Sequence, residues 1–156
     1  MTSAIAVFQG MGGVHGTVRF VQQADQVDII LNLTGLKKND LHGFHVHEYG
    51  DLSDGCNSAC AHFNPYKKKH GCPGMPERHV GDLGNIVTNM FGNANYRTSD
   101  TVISLNSTET NIIGRMLIIH EDPDDCGQGQ GSLKDESLKT GNAGKRIACA
   151  VIGYSK

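Results

Sequence analysis

The segment CNSACAHFNPYKKKHGC, residues 56–72, holds three cysteines and two histidines in seventeen positions. Thiolate sulfur and imidazole nitrogen are the ligands zinc prefers in tetrahedral sites. Taken alone, the segment favours a thiolate-rich zinc site drawn from Cys56, Cys60, His62, His70 and Cys72. A rival set uses the loop differently. His62, His70 and His79, at spacings of eight and nine, offer three nitrogens, and Asp82 in HVGD adds an oxygen. Spacing does not choose between them. Upstream, LHGFHVHE carries His45 and His47. On a strand, residues i and i+2 share a face. The pair is therefore either the start of a copper or zinc site or two polar residues on a solvated face. His120 ends the apolar run RMLIIH, where a lone histidine is more often a core or rim residue than a ligand.

Residues so far apart in sequence need a frame to bring them together, and period-two patterns supply one. Ile5 and Val7 alternate with smaller residues in AIAVF; Val14, Gly16, Val18 and Phe20 alternate with polar residues; so do Val27, Ile29, Leu31 and Leu33. Each run reads as a strand with one buried face. Further strands are expected at 41–47, 82–88, 93–99, 114–119 and 146–152, and no amphipathic helix of ten or more residues. Eight short strands with Gly-rich connections predict an all-β fold, an antiparallel Greek-key sandwich or barrel. Two connections, about 48–81 and 121–145, are too long for hairpins. Their histidines, cysteines and paired charges favour function over disorder. No repeat or linker divides the chain, so one domain over 1–156 is expected.

Lys and Arg number 14 against 16 Asp and Glu, a formal net charge of -2, which argues against a nucleic-acid binder but not against an anionic substrate. MTSAIAVFQG shows no basic stretch followed by a long apolar run, and no segment reaches membrane-spanning length. A cytoplasmic protein without a membrane partner is expected. In a reducing compartment the five cysteines default to thiols or metal ligands.

Several longer motifs occur in fixed order: GFHVHEYGD (43–51), HFNP (62–65), KHG (69–71), RHVGDLGN (78–85), VISL (102–105), IIGR (112–115), IHE (119–121) and TGNAG-RIAC-VIG (140–153). Through them the sequence resembles the intracellular copper/zinc superoxide dismutases along nearly its whole length. The resemblance implies an enzyme that dismutates superoxide to oxygen and hydrogen peroxide on an alternately reduced and reoxidised copper, beside a structural zinc. It implies copper on His45, His47, His62 and His120, and zinc on His62, His70, His79 and Asp82. His62 would then be shared as a bridging imidazolate that takes up and delivers a proton. Asp124 would link His45 to His70, and His42 would pack behind the site, while His15 matches no site position. Arg146 would dock the anion, Thr140 would narrow the channel, and Lys139 would steer superoxide, with Asp135 and Glu136 shaping the field. Cys56 and Cys149 would form a disulfide. A homodimer through Ile5, Val7, Tyr49–Asp51, Ile113–Gly114 and Val151–Tyr154, and a transient copper chaperone, are implied as well.

The chain departs from the family pattern twice. QGQGSLKDES lengthens the 126–139 loop and adds Lys134. Cys60, Cys72 and Cys126 are extra; they are spare thiols, or Cys60 competes with Cys56 for Cys149, or Cys60 pairs with Cys72. Lys67, Lys68 and Lys69 read as a solvated loop face. Two other readings compete with the enzyme: a non-catalytic copper/zinc buffer or delivery protein, and a structural zinc domain held by thiolates.

Overall fold

Side chains of alternating polarity build the frame. In β2 (His15–Gln22) and β3 (Val27–Thr34), Val18, Phe20, Val27, Ile29, Leu31 and Leu33 are buried, and the residues between them face outward. The computed structural model describes residues 1–156, with nine strands in two antiparallel sheets. The remaining strands are β1 (Ser3–Gln9), β4 (Leu41–His47), β5 (Asp82–Val87), β6 (Ala94–Asp100), β7 (Met116–His120), β8 (Arg146–Val151) and β9 (Gly153–Ser155). One sheet has the order β6-β3-β2-β1-β9 and the other β5-β4-β7-β8. Their facing sides enclose Phe20, Ile29, Phe44, Leu117 and Ile119.

Two sequence expectations change here. In β1 the buried residues are Ala4, Ala6 and Phe8, while Val7 is 45% exposed and Ile5 only partly covered. Ala4 lies opposite Phe20 and Ala6 opposite Val18, so the small side chains face inward where their neighbours are bulky. The strand expected at 146–152 is two strands. Val151 pairs with Met116 in one sheet and Gly153 with Ile5 in the other. Between them Ile152 turns the chain: its N–H donates to the Arg115 carbonyl and its own carbonyl accepts from Gly114.

Residues 42–47 of β4 are all buried, because both faces are covered. Phe44 and Val46 enter the core. On the other side the 48–81 connection folds back: Phe63 N–H donates to Val46 O, Glu48 N–H to Ala61 O, and a single bridge joins His47 to His62. Register shifts fall between Gly43 and His45 against β5, and between Ile119 and His120 against β8. Such bulges re-aim side chains beside active sites. The second one pairs His120 with Arg146 at the rim of the sheet.

The 121–145 connection contains a short helix, α1 (Lys134–Thr140), too brief for its period to show in the sequence. Asp135 and Glu136 sit in its first turn and Lys139 in its last, which complements the helix dipole. It ends at Gly141, whose φ of 75° is left-handed. No helix is long and apolar enough to cross a membrane.

Candidate metal centre

His45 and His47 project from β4 away from the core, His120 comes from the end of β7, and the 48–81 loop lays His62 beside them. One ligand atom from each of these four buried residues fits within a 4.8 Å span. The outer nitrogens are already engaged. His47 Nδ1 hydrogen-bonds the Cys60 carbonyl at 2.8 Å, and His120 Nδ1 bonds the Gly144 carbonyl at 3.1 Å. Their Nε2 atoms therefore face one another at 3.4 Å. His42, also buried, bonds the His120 carbonyl through Nδ1 at 2.8 Å and accepts the Lys37 N–H, which ties β7 to β4 behind the cluster. His15 lies exposed on β2.

A second buried group adjoins the first. His62 Nδ1 lies 3.0 Å from Asp82 Oδ1 and 3.1 Å from His79 Nδ1, and His70 Nδ1 lies 3.0 Å from Asp82 Oδ2. One four-residue set here is His45, His62, His70 and Asp82; His79 joins through its contacts with His62 and Asp82. Asp82 is oriented by the N–H groups of Gly71 and His79, at 3.0 and 2.7 Å. His45 and His62 thus belong to both groups.

Asp124 stands behind both groups. Its Oδ2 is 2.7 Å from His45 Nε2 and its Oδ1 is 2.8 Å from His70 Nε2. Asn85 fixes the backbone of Asp124, bonding its N–H and its carbonyl at 2.7 and 2.9 Å. With both Nε2 atoms taken, the Nδ1 atoms of His45 and His70 point inward; that of His45 is buried without a hydrogen-bond partner, and that of His70 faces only Asp82 Oδ2. Buried polar atoms are rarely left unpaired. An orphaned His45 nitrogen, with the inward His70 nitrogen beside further imidazoles and a carboxylate, fits copper and zinc coordination.

Electrostatics of the protein groups points the same way. Burial, followed by repulsion from the His62 ring, holds His45 and His47 well below the usual imidazole range. Burial also lowers His62 despite its Asp82 partner, and brings His120 down to about 4. These rings are neutral, which ligation requires. His70 differs: burial pulls it down, but its bonds to Asp124 and Asp82 more than offset this and raise it to about 9. Burial favours protonation of Asp82, yet hydrogen bonds from His62, His70 and His79 hold it far below the normal carboxylate range.

The cluster opens to a cleft of about 760 Å³ that includes His47, His62 and His120. Arg146 stands at its edge, donating from Nη1 to Cys56 O at 2.8 Å and from Nη2 to Cys60 O at 2.5 Å. Lys139, Thr140 and Glu136 line the cleft, with Thr140 Oγ1 donating to Glu136 Oε1 at 3.0 Å; Asp135 is exposed and does not line it. Lys67, Lys68 and Lys69 are exposed, as a solvated loop face requires, and also line the cleft. The available signal was three consecutive lysines between His62 and His70.

The cysteines pair as Cys56–Cys149 and Cys72–Cys126, leaving Cys60 free and exposed. The first bridge matches the family resemblance. The second replaces both alternatives raised for Cys60 and reduces the spare thiols from three to one. The thiolate-rich zinc set fails because Cys56 and Cys72 are bonded elsewhere while His62 and His70 turn into the histidine cluster. Met11 packs its sulfur 3.4 Å from Cys56 Sγ and 3.6 Å from Cys149 Sγ.

Comparison with known proteins agrees with this geometry. The family model described as copper/zinc superoxide dismutase (SODC) matches residues 14–152. A superoxide dismutase [Cu-Zn] of Paramecium bursaria Chlorella virus 1 is 57% identical over 154 residues, covering 99% of this chain and 79% of that protein. Superoxide dismutase [Cu-Zn] A of Xenopus laevis is 50% identical over 155 residues, covering 99% of each. An extracellular superoxide dismutase [Cu-Zn] of Brugia pahangi is also 50% identical, over 98% of this chain and 76% of that protein.

Proposed function

The chain belongs to the copper/zinc superoxide dismutase family, and we propose that its histidine cluster and cleft carry out that family's reaction with the residues assigned below. It is an oxidoreductase that converts superoxide to oxygen and hydrogen peroxide with copper and zinc as cofactors. His45, His47, His62 and His120 hold the copper. His62, His70, His79 and Asp82 hold the zinc. Bound copper supplies one-electron redox chemistry, while zinc, which has no accessible redox change, supplies fixed charge. The observation that carries the assignment is the His62 ring, which belongs to both buried ligand groups and turns its Nδ1 to Asp82 and His79, while Asp124 takes the outer nitrogen of His45, the other shared ring, and that of His70.

The protein groups have distinct tasks in this reading. Arg146 keeps its charge at all working pH values, and its planar fork suits a two-oxygen anion. Its bonds to two carbonyls and to no carboxylate leave that charge uncompensated beside His120. Lys139, with Lys67, Lys68 and Lys69 lining the same cleft, draws the anion in against a net charge of -2. Glu136 and Thr140 shape the approach. Peroxide leaves with two protons, and the His62 nitrogen turned to the cleft would hold and deliver one of them when it is not bound to copper.

Metal content per chain, measured together with the rate of superoxide decay, tests the reading. One copper and one zinc with fast decay is the expected result. Both metals with no decay would establish the buffer or delivery alternative, which the placement of Arg146 at the cleft edge does not favour. A homodimer belongs to the same proposal: exposed Val7, Tyr49 and Tyr154 and part-exposed Ile5, Ile113 and Val151 lie on segments brought together by the β1–β9 pairing and the Gly114–Ile152 bond. Sedimentation showing a monomer at micromolar concentration would remove that part. A transient copper chaperone supplies the metal in this reading. A cytoplasmic location follows from the family resemblance in this reading, and cell fractionation tests it.

A further inference from the structure

The second disulfide has no counterpart in the roles assigned so far. It joins the two long connections directly behind the zinc set. Cys72 follows His70 by two residues and adjoins Gly71, whose N–H holds Asp82 Oδ2. Cys126 follows Asp124 by two residues, and its N–H donates at 2.8 Å to Asp124 Oδ1, the oxygen that also engages His70 Nε2. The sequence of links Cys72–Cys126–Asp124–His70 therefore closes a small ring, one side covalent and the others hydrogen bonds or short stretches of chain. The turn that makes this possible places Cys126 at φ 58°, in the left-handed region. Across the same seam His70 N–H donates to Leu138 O at 2.9 Å, so His70 is held by the opposite loop at its ring and its backbone. Hydrogen bonds of this kind open and re-form; the disulfide keeps the two loops in register meanwhile.

We propose that the Cys72–Cys126 disulfide is a positioning element for zinc, locking the loop of His70, His79 and Asp82 to the loop of Asp124, so that its reduction selectively releases zinc. The inference rests on the zinc assignment above. A dithiol reductant completes the step: its thiolate attacks Cys126 Sγ, which is partly exposed, and Cys72 leaves as the thiolate. The second thiol of the reductant then displaces Cys126, giving two cysteine thiols and an oxidised dithiol. Cys72 is 8% exposed and makes the poorer point of attack.

The test uses holoenzyme and zinc release to a chromophoric chelator. The Cys72→Ser/Cys126→Ser double variant is expected to bind one zinc, keep its copper, and release zinc about 10- to 100-fold faster, the range typical for loss of outer-shell support. Cobalt(II) placed in the zinc site should show shifted visible bands in that variant. In wild-type protein treated with dithiothreitol, zinc release should follow alkylation of Cys72 and Cys126, mapped by mass spectrometry, and precede that of Cys56 and Cys149. This second arm decides the matter if the variant fails to fold. Zinc release within about twofold of wild type, or copper and zinc lost together, overturns the proposal. Wild-type protein that holds no zinc, or holds it equally well with His79→Ala, overturns the zinc assignment itself and the proposal with it.

Discussion

Gly141→Ala tests the Asp124–His70 contact without replacing any ligand. A Cβ on Gly141 would fall inside the contact radius of Asp124 Oδ1 and 2.5 Å from His70 Nε2. The carboxylate must swing away, breaking its bond to His70 and straining the one from Cys126. A hydrogen bond to a charged group contributes about 1.5–3 kcal/mol. Alanine at the left-handed φ of 75° costs a further 1–2 kcal/mol or so. The chelator-stripped variant should therefore lose about 2.5–5 kcal/mol in urea unfolding. Zinc affinity should fall about 10- to 100-fold in competition titrations. Gly131→Ala is the matched control: its φ of 60° carries the same backbone cost, but no atom lies within 4 Å of the added carbon. That variant should lose only about 1–2 kcal/mol and bind zinc normally. If the two variants lose equal stability and bind zinc alike, the reasoning about the Asp124 contact is wrong.

Arg146→Ile is expected to keep both metals, by elemental analysis, and to slow superoxide decay at least tenfold; loss of copper would contradict its assignment as the docking group. Lys67→Gln/Lys69→Gln should lower the decay rate several-fold at low ionic strength and flatten its salt dependence, read by pulse radiolysis, while a rate unchanged at low salt would remove these lysines from the steering field. The pH dependence of chelator-stripped protein has two limbs. His45, His47, His62 and His120 are depressed in the fold, so their stability contribution is present above the unfolded value of about 6.5 and lost as pH falls toward 4. His70 is raised, so its contribution is present below about 6.5 and lost as pH rises through about 9. Thermal unfolding should peak near neutrality with the steeper loss on the acid side, and a steeper alkaline limb would refute the assignment.

The residues that were legible are those whose meaning is local. Alternation in β2 and β3 shows which face is buried, and His45 and His47 declare a shared face through their spacing. The β1 face was misread because Ala4 and Ala6 owe their burial to Phe20 and Val18 across the strand pair, and not to their own size. The Cys72–Cys126 link spans 54 residues, and nothing in either local segment names its partner. Helix α1 is seven residues long, too short for a period to establish itself. Asp124 offered no chemical signal beyond an acidic run, HEDPDD; its place between two histidines exists only once both long connections have folded.

The Cys60 carbonyl accepts from His47 Nδ1 and from Arg146 Nη2, while the neighbouring Cys56 carbonyl accepts from Arg146 Nη1. One peptide oxygen is thus a common datum for a ring in the cluster and for the guanidinium at the cleft edge. A small drift of residues 56–60 carries both side chains with it, so that their separation changes less than the position of either. Breathing of the loop then alters how often the cleft admits an anion more than how well an admitted anion is aligned.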